Sequence, residues 1–148
     1  MATKVLPYLY AIVKQYPLKI IVAWGEAISG NTKIRDWLKN NNYAELAAFV
    51  SAIHLQDDAR VWLMKHGFAE LMALVMGSEG DAKAIKWLNE NNYSNLALIA
   101  KGADNDDEAV KQLLLNGEKE WGMISLKIRA VKNQIQEEND DWHKQSRR

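Results

Sequence analysis

Apolar residues along this chain fall three and four positions apart, as in Ile34, Trp37 and Leu38 followed by Leu46, Phe49, Val50 and Ile53. That is the spacing of helices that bury one face. No run alternates with period two between turn residues, so the pattern predicts no strand. The pattern also recurs. "WLKNNNYAEL" from Trp37, "WLMKHGFAEL" from Trp62 and "WLNENNYSNL" from Trp87 align without a gap at a period of 25 residues. Carried outward, the register gives five units starting near residues 6, 31, 56, 81 and 106. Leu38, Leu63, Leu88 and Leu113 share one column with Val13, and Leu9 and Ile34 share another. Such self-similarity marks a repeat architecture.

Each unit reads as two short helices. The break inside the unit falls at Asn42, Gly67, Asn92 and Gly117, residue types that accept the left-handed conformation ending a helix. The break between units falls at Asn31-Thr32, Gln56-Asp57, Asp81 and Asp106-Asp107, where side-chain oxygens can satisfy the first free N–H groups of the next helix. First helices are predicted over 32–41, 57–66, 81–91 and 106–116, and second helices over 44–54, 69–77 and 94–101. In the opening unit Pro7 suits a first helical turn, whereas Pro17 stands where the other units have Asn or Gly and must make a different junction. Trp37, Trp62 and Trp87 read as a core or inter-unit ladder. Leu38, Leu63 and Leu88 directly follow them, so at least one residue of each pair must face inward.

The C-terminal stretch departs from the repeat. Ile124, Ile128, Val131, Ile135, Glu138 and Trp142 are separated by four, three, four, three and four residues with no breaker after Gly122. This predicts one long helix over about 118–142 with a heptad stripe. Such a helix can cap the stack, overhang it or pair with a second chain as a homodimer. Helices of about ten residues need neighbours to bury their apolar faces. The expected fold is therefore all-α, a single domain over 1–148: a right-handed α–α superhelix, or solenoid, of about five two-helix repeats with a long C-terminal helix.

Composition narrows the function. The 148 residues include 48% hydrophobic and 26% charged side chains, 19 basic against 19 acidic, and no cysteine. Cysteine chemistry is excluded, from disulfides to thiolate catalysis and Cys-type zinc sites. The zero net charge disfavours nucleic acid, because no overall positive field draws phosphates. "VLPYLYAIVKQYPLKIIVAW" is broken by Pro7, Lys14, Pro17 and Lys19, so neither a spanning helix nor a signal peptide is expected, and the cytoplasm is the default compartment. His54, His66 and His143 lack metal-ligand spacing. The run "DNDDE" from Asp104 has Ala109 and Leu115 where a calcium loop needs Gly and Glu. No metal or other cofactor is expected. No nucleophile elbow or Gly-rich phosphate loop occurs, and no enzyme is expected.

The repeated "WLKNNNYAEL", "WLMKHGFAEL" and "WLNENNYSNL" segments resemble the broad class of two-helix solenoids that includes HEAT, armadillo and leucine-rich-variant repeats. The resemblance covers roughly residues 6–130 and is architectural; it implies a scaffold presenting an extended surface to a protein or peptide. Second-helix positions expected to face solvent, Glu45, Ser51, Glu70, Ser94 and Asn95, make the candidate interaction groove. Two alternatives follow from other residues. Lys4, Lys14 and Lys19, with Arg147-Arg148, offer a local basic surface for nucleic acid, and the Ile124, Ile128, Val131, Ile135 and Trp142 stripe offers a homodimer interface.

Overall fold

The computed structural model describes residues 16–146. Nine helices occur among them: α1 (Leu18–Ile28), α2 (Thr32–Asn40), α3 (Ala44–Ile53), α4 (Asp57–Lys65), α5 (Ala69–Ser78), α6 (Ala82–Glu90), α7 (Ser94–Ala103), α8 (Asp107–Leu115) and α9 (Lys119–Ser146). The first half of the opening unit, with Leu9, Val13 and Pro7, and the basic residues Lys4, Lys14, Arg147 and Arg148 lie outside the described residues. Helices α2 to α8 follow the predicted bounds to within two residues. The last helix is longer than expected, 28 residues and running past Trp142.

The repeated tryptophan motif is a helix stop. Asn42, Gly67, Asn92 and Gly117 have φ of 72°, 82°, 66° and 76°. The next residue in each unit then donates its backbone N–H five residues back: Tyr43 to Leu38 O at 2.9 Å, Phe68 to Leu63 O at 2.9 Å, Tyr93 to Leu88 O at 2.8 Å and Glu118 to Leu113 O at 2.9 Å. This is the Schellman turn, which satisfies carbonyls that a helix end leaves free. Asn41 and Asn91 add a side-chain amide to the Trp37 and Trp87 carbonyls at 2.7 and 2.8 Å. In the same column His66 Nδ1 donates to the Trp62 carbonyl at 2.9 Å. The aromatic after the turn stacks on the tryptophan before it, with interplanar angles of 20° for Trp37–Tyr43, 5° for Trp62–Phe68 and 10° for Trp87–Tyr93.

The tryptophans are therefore not the inter-unit ladder their spacing suggests. Trp37 is 48% exposed, Trp87 is also exposed and Trp62 is half-buried, whereas Leu38, Leu63, Leu88 and Leu113 are fully buried. One residue further along a helix is a rotation of about 100°. That step sends leucine to the inner layer and leaves the indole covering the turn.

The second break repeats the same turn. Asn31, Gln56, Asp81 and Asp106 donate to carbonyls five residues back at 3.0–3.1 Å, around a column of positive φ made by Gly30, Leu55, Gly80 and Asn105. Asn31, Asp81 and Asp106 then accept N–H bonds at the start of the next helix, while Gln56 makes no such side-chain bond.

Helices α1, α3, α5, α7 and α9 form an inner layer, with α2, α4, α6 and α8 outside it. The inner layer closes. Each inner helix packs on the next, and α9 returns to α1. Trp24 and Trp121 meet edge to face at 6.3 Å, and Lys127 Nζ lies 3.4 Å from Glu26 Oε1. The α7–α9 contact is close because Gly102 has no side chain; a Cβ there would run into Ser125 Oγ and Val110. Buried Ser125 instead donates to Ile99 O at 2.7 Å. One apolar cluster runs around the ring from Ile20 to Val131.

Candidate functional site

The five residues expected to line one groove do not share a surface. Closing the inner layer turns the N-terminal ends of α3 and α5 toward the ring, and Glu70 is buried at 7% exposure rather than facing solvent. Glu45 is half-buried and accepts a hydrogen bond from Tyr16 Oη at 2.9 Å. Burial pushes the Glu70 carboxyl pKa up; a hydrogen bond from its own backbone N–H opposes the rise, and the Glu45 charge adds to it. Burial also raises Tyr93, with the Glu70 charge contributing. Tyr16, Trp24, Leu46, Glu70, Leu71, Leu96 and Trp121 line a small recess of about 20 Å³, room for about one water. Trp24 Nε1 has no hydrogen-bond partner among the described residues.

Ser94 is exposed at the start of α7 and Asn95 is half-buried beside it. Ser51 belongs to a different feature, a groove of about 410 Å³ between α2 and α4. Small residues of α3 (Ala44, Ala47, Ala48 and Ser51) make its floor, and Arg35, Asp36 and Lys39 face Asp58 and Trp62 across it.

A second cleft lies at the opposite end of the ring from Glu70, where α9 runs past the C-terminal ends of α3, α5 and α7. Its volume is about 400 Å³, within the range of ligand-binding clefts. Ile53, Leu55, Val75, Ile128 and Ile135 supply apolar lining, and Glu79, Asp104, Asn105, Lys132, Asn133, Gln136 and Asn139 the polar part. The rim charges are paired. Lys132 Nζ lies 2.6 Å from Asp104 Oδ1, and Arg60 Nη1 lies 2.9 Å from Glu79 Oε1. Arg60 also donates to Ala52 O at 3.1 Å at the end of α3. Arg129 does the same for α7, with Nε 2.8 Å from Gly102 O and Nη1 2.8 Å from Asp107 Oδ1. Cations at helix C-termini satisfy free carbonyls and complement the helix dipole. Asn105 and Asn133 exchange side-chain amide bonds at 3.1 and 3.4 Å.

Leu55 stands at the mouth. It has φ 68° and is 53% exposed, in a column otherwise filled by Gly30, Gly80 and Asn105. A left-handed leucine costs about 1–2 kcal/mol, and a side chain left 53% exposed offsets that cost only in part. The periodic apolar positions do not single it out; its signal is a leucine in a turn column of glycine and asparagine.

The heptad stripe divides in the same place. Ile124, Ile128 and Val131 are buried against the ring and Ile135 is half-buried, but Trp142 is 66% exposed on the overhanging part of α9. The stripe thus caps the inner layer over its first half. Among the described residues no group of three or more His, Asp or Glu side chains is placed to hold a metal, and no helix is long and apolar enough to cross a membrane. No protein-family model, no curated protein and no solved structure matches the chain.

Proposed function

We propose that this chain is a noncatalytic helical-repeat scaffold whose cleft between α9 and the ends of α3, α5 and α7 takes an apolar side chain of a protein or peptide partner. Strained, exposed Leu55 carries the reading: strain of this kind persists where an arrangement serves binding. The rim carboxylates Glu79 and Asp104 already sit in ion pairs, which favours a neutral segment whose backbone amides meet Asn133, Gln136 and Asn139. This reading treats the chain as a cofactor-free cytoplasmic adaptor, a right-handed superhelix of the HEAT and armadillo kind closed at its ends.

Selection of displayed peptides on the immobilised protein tests it. Enriched peptides should share an apolar anchor and bind the Leu55→Asp variant at least tenfold more weakly, about 1.4 kcal/mol, with the variant unfolding at no lower temperature than wild type, since aspartate accepts the left-handed turn. Equal binding to wild type and variant would remove the cleft from the reading.

A further inference from the structure

The floor between neighbouring outer helices changes from unit to unit. Under α2 and α4 it is made by Ala44, Ala47, Ala48 and Ser51 of α3. The same columns hold Met72 and Met76 in α5 and Leu98 and Lys101 in α7, and Met72 and Leu98 pack against the core. The shorter side chains of α3 leave the groove of about 410 Å³ open. Trp62 forms part of its α4 wall, with the indole held by stacking on His66 at 4.1 Å and on Phe68 at 5.8 Å. The groove shares no lining residue with the cleft beside α9.

Its charges stand on opposite walls. Arg35 and Lys39 edge the groove on α2, and Asp58 edges it on α4. Arg60, the counterpart of Arg35 one unit on, is drawn away to Ala52 O and Glu79. His54 occupies the Glu79 column and donates from Nε2 to Ile28 O at 3.2 Å, so Arg35 pairs instead with Asp36, its neighbour in sequence, at 3.3 Å. Lys39 and Asp58 are exposed and make no ion pair among the described residues. Outer helices run in one direction, each turning back into an inner helix. Lys39 shares its column with Met64, six residues beyond Asp58. At about 1.5 Å per residue the cation and the anion are therefore about 9 Å apart along the groove.

We propose that the α2–α4 groove is a docking surface for a helix of a protein partner that carries a basic and an acidic side chain two turns apart. Short side chains on the floor let a helix approach closely, with its own small or apolar face against Ala47, Ala48 and Ser51 and its flanks against the two walls. Residues seven apart on such a helix share a face and stand about 10.5 Å apart, which matches the separation of Asp58 and Lys39. The basic residue meets Asp58 and the acidic one meets Lys39. These charge pairs fix the register of the partner and reject helices with two like charges at those positions.

Labelled alanine-rich helical peptides of one length test this by fluorescence anisotropy on the full chain. They carry Lys and Glu, Lys and Lys, Glu and Glu, or Gln and Gln at positions seven apart. The Lys/Glu peptide should bind at least tenfold more tightly than the other three. Lys39→Glu should move that preference to the Lys/Lys peptide, since both ends of the groove are then acidic. Ala48→Leu with Ser51→Met, the residues of the same columns in α7 and α5, should fill the groove and abolish binding with thermal unfolding unchanged, whereas Leu55→Asp in the other cleft should leave binding intact. Should the filled variant unfold early, Lys39→Glu still decides, because it alters an exposed side chain alone. Equal affinities for the four peptides, no binding of the Lys/Glu peptide, or a Lys39→Glu chain that keeps the wild-type preference would overturn the proposal.

Discussion

At one end of the inner ring Trp24, Leu46, Leu71, Leu96 and Trp121 converge until a recess of only about 20 Å³ is left, while at the other the ends of α3, α5 and α7 leave a cleft of about 400 Å³ beside α9. Both ends are assembled from the same 25-residue columns. The difference comes from what interrupts the repeat. Trp24 and Trp121 stand in α1 and α9, the helices that close the ring, and supply bulk at the shut end. At the other end α9 does not stop where a repeat helix would, and its overhang forms one wall of the cleft. Regular columns make the shell, and the departures from regularity at α1 and α9 make the difference between its two ends.

Removing bulk at the shut end should have the largest effect. Trp121→Ala is expected to cost about 3–5 kcal/mol, the range for buried aromatic truncation, because Trp121 is 5% exposed and packs on Trp24. Ile135→Ala, at the half-buried edge of the cleft, should fall below about 2 kcal/mol, since the partly wet site loses less apolar contact. Urea unfolding of both variants checks the order. Comparable losses would mean that the open end contributes to the core as much as the shut end does.

Leu55→Gly sharpens the comparison with a smaller effect of opposite sign. Relief of left-handed strain, about 1–2 kcal/mol, outweighs the added backbone entropy of glycine, about 0.5–1 kcal/mol. The variant should be more stable by roughly 0.5–1 kcal/mol in the same unfolding measurement. If it is less stable, the Leu55 side chain is holding the cleft together and its exposure has been misread.

Much of the shell is legible in the residues themselves. Asn and Gly in the column of Asn42, Gly67, Asn92 and Gly117 announce left-handed turns because few other residues adopt them cheaply, and the 25-residue period places the leucine ladder. Two things are not legible. Ring closure depends on the turn each repeat makes relative to the last, a sum of small angles that no single residue encodes, and this is why Glu70 passes from an expected solvent face into the interior. The choice between Trp37 and Leu38 as the inward residue depends on helix phase at a terminus, which periodicity alone leaves ambiguous by one position. Of the candidate groove, Ser51 alone lines a surface cleft, and the side chains that shape the cleft beside α9, Leu55, Arg60 and Lys132, act through turn geometry and capping bonds outside the apolar pattern.

The smallest expected effect concerns the buried acid at the shut end. Glu70 has its pKa raised above 4.5 in the folded chain, chiefly by burial. A carboxyl of this kind favours the folded state fully below its unfolded pKa, where it is neutral in both states. That contribution is lost as pH rises through the folded value, because folding then opposes ionisation. Glu70→Gln keeps the shape and removes the titration. The stability of the variant relative to wild type should therefore grow as pH rises from about 4 toward 7 and level off once pH passes the folded pKa. Glu45, bonded to Tyr16, supplies an internal check. Its charge also raises Glu70, so in a Glu45→Gln background the same transition should move to lower pH. A relative stability that falls with rising pH would show that Glu70 gains a partner for its charged form, and the shut end would then be a wet, ion-tolerant mouth much like the cleft opposite.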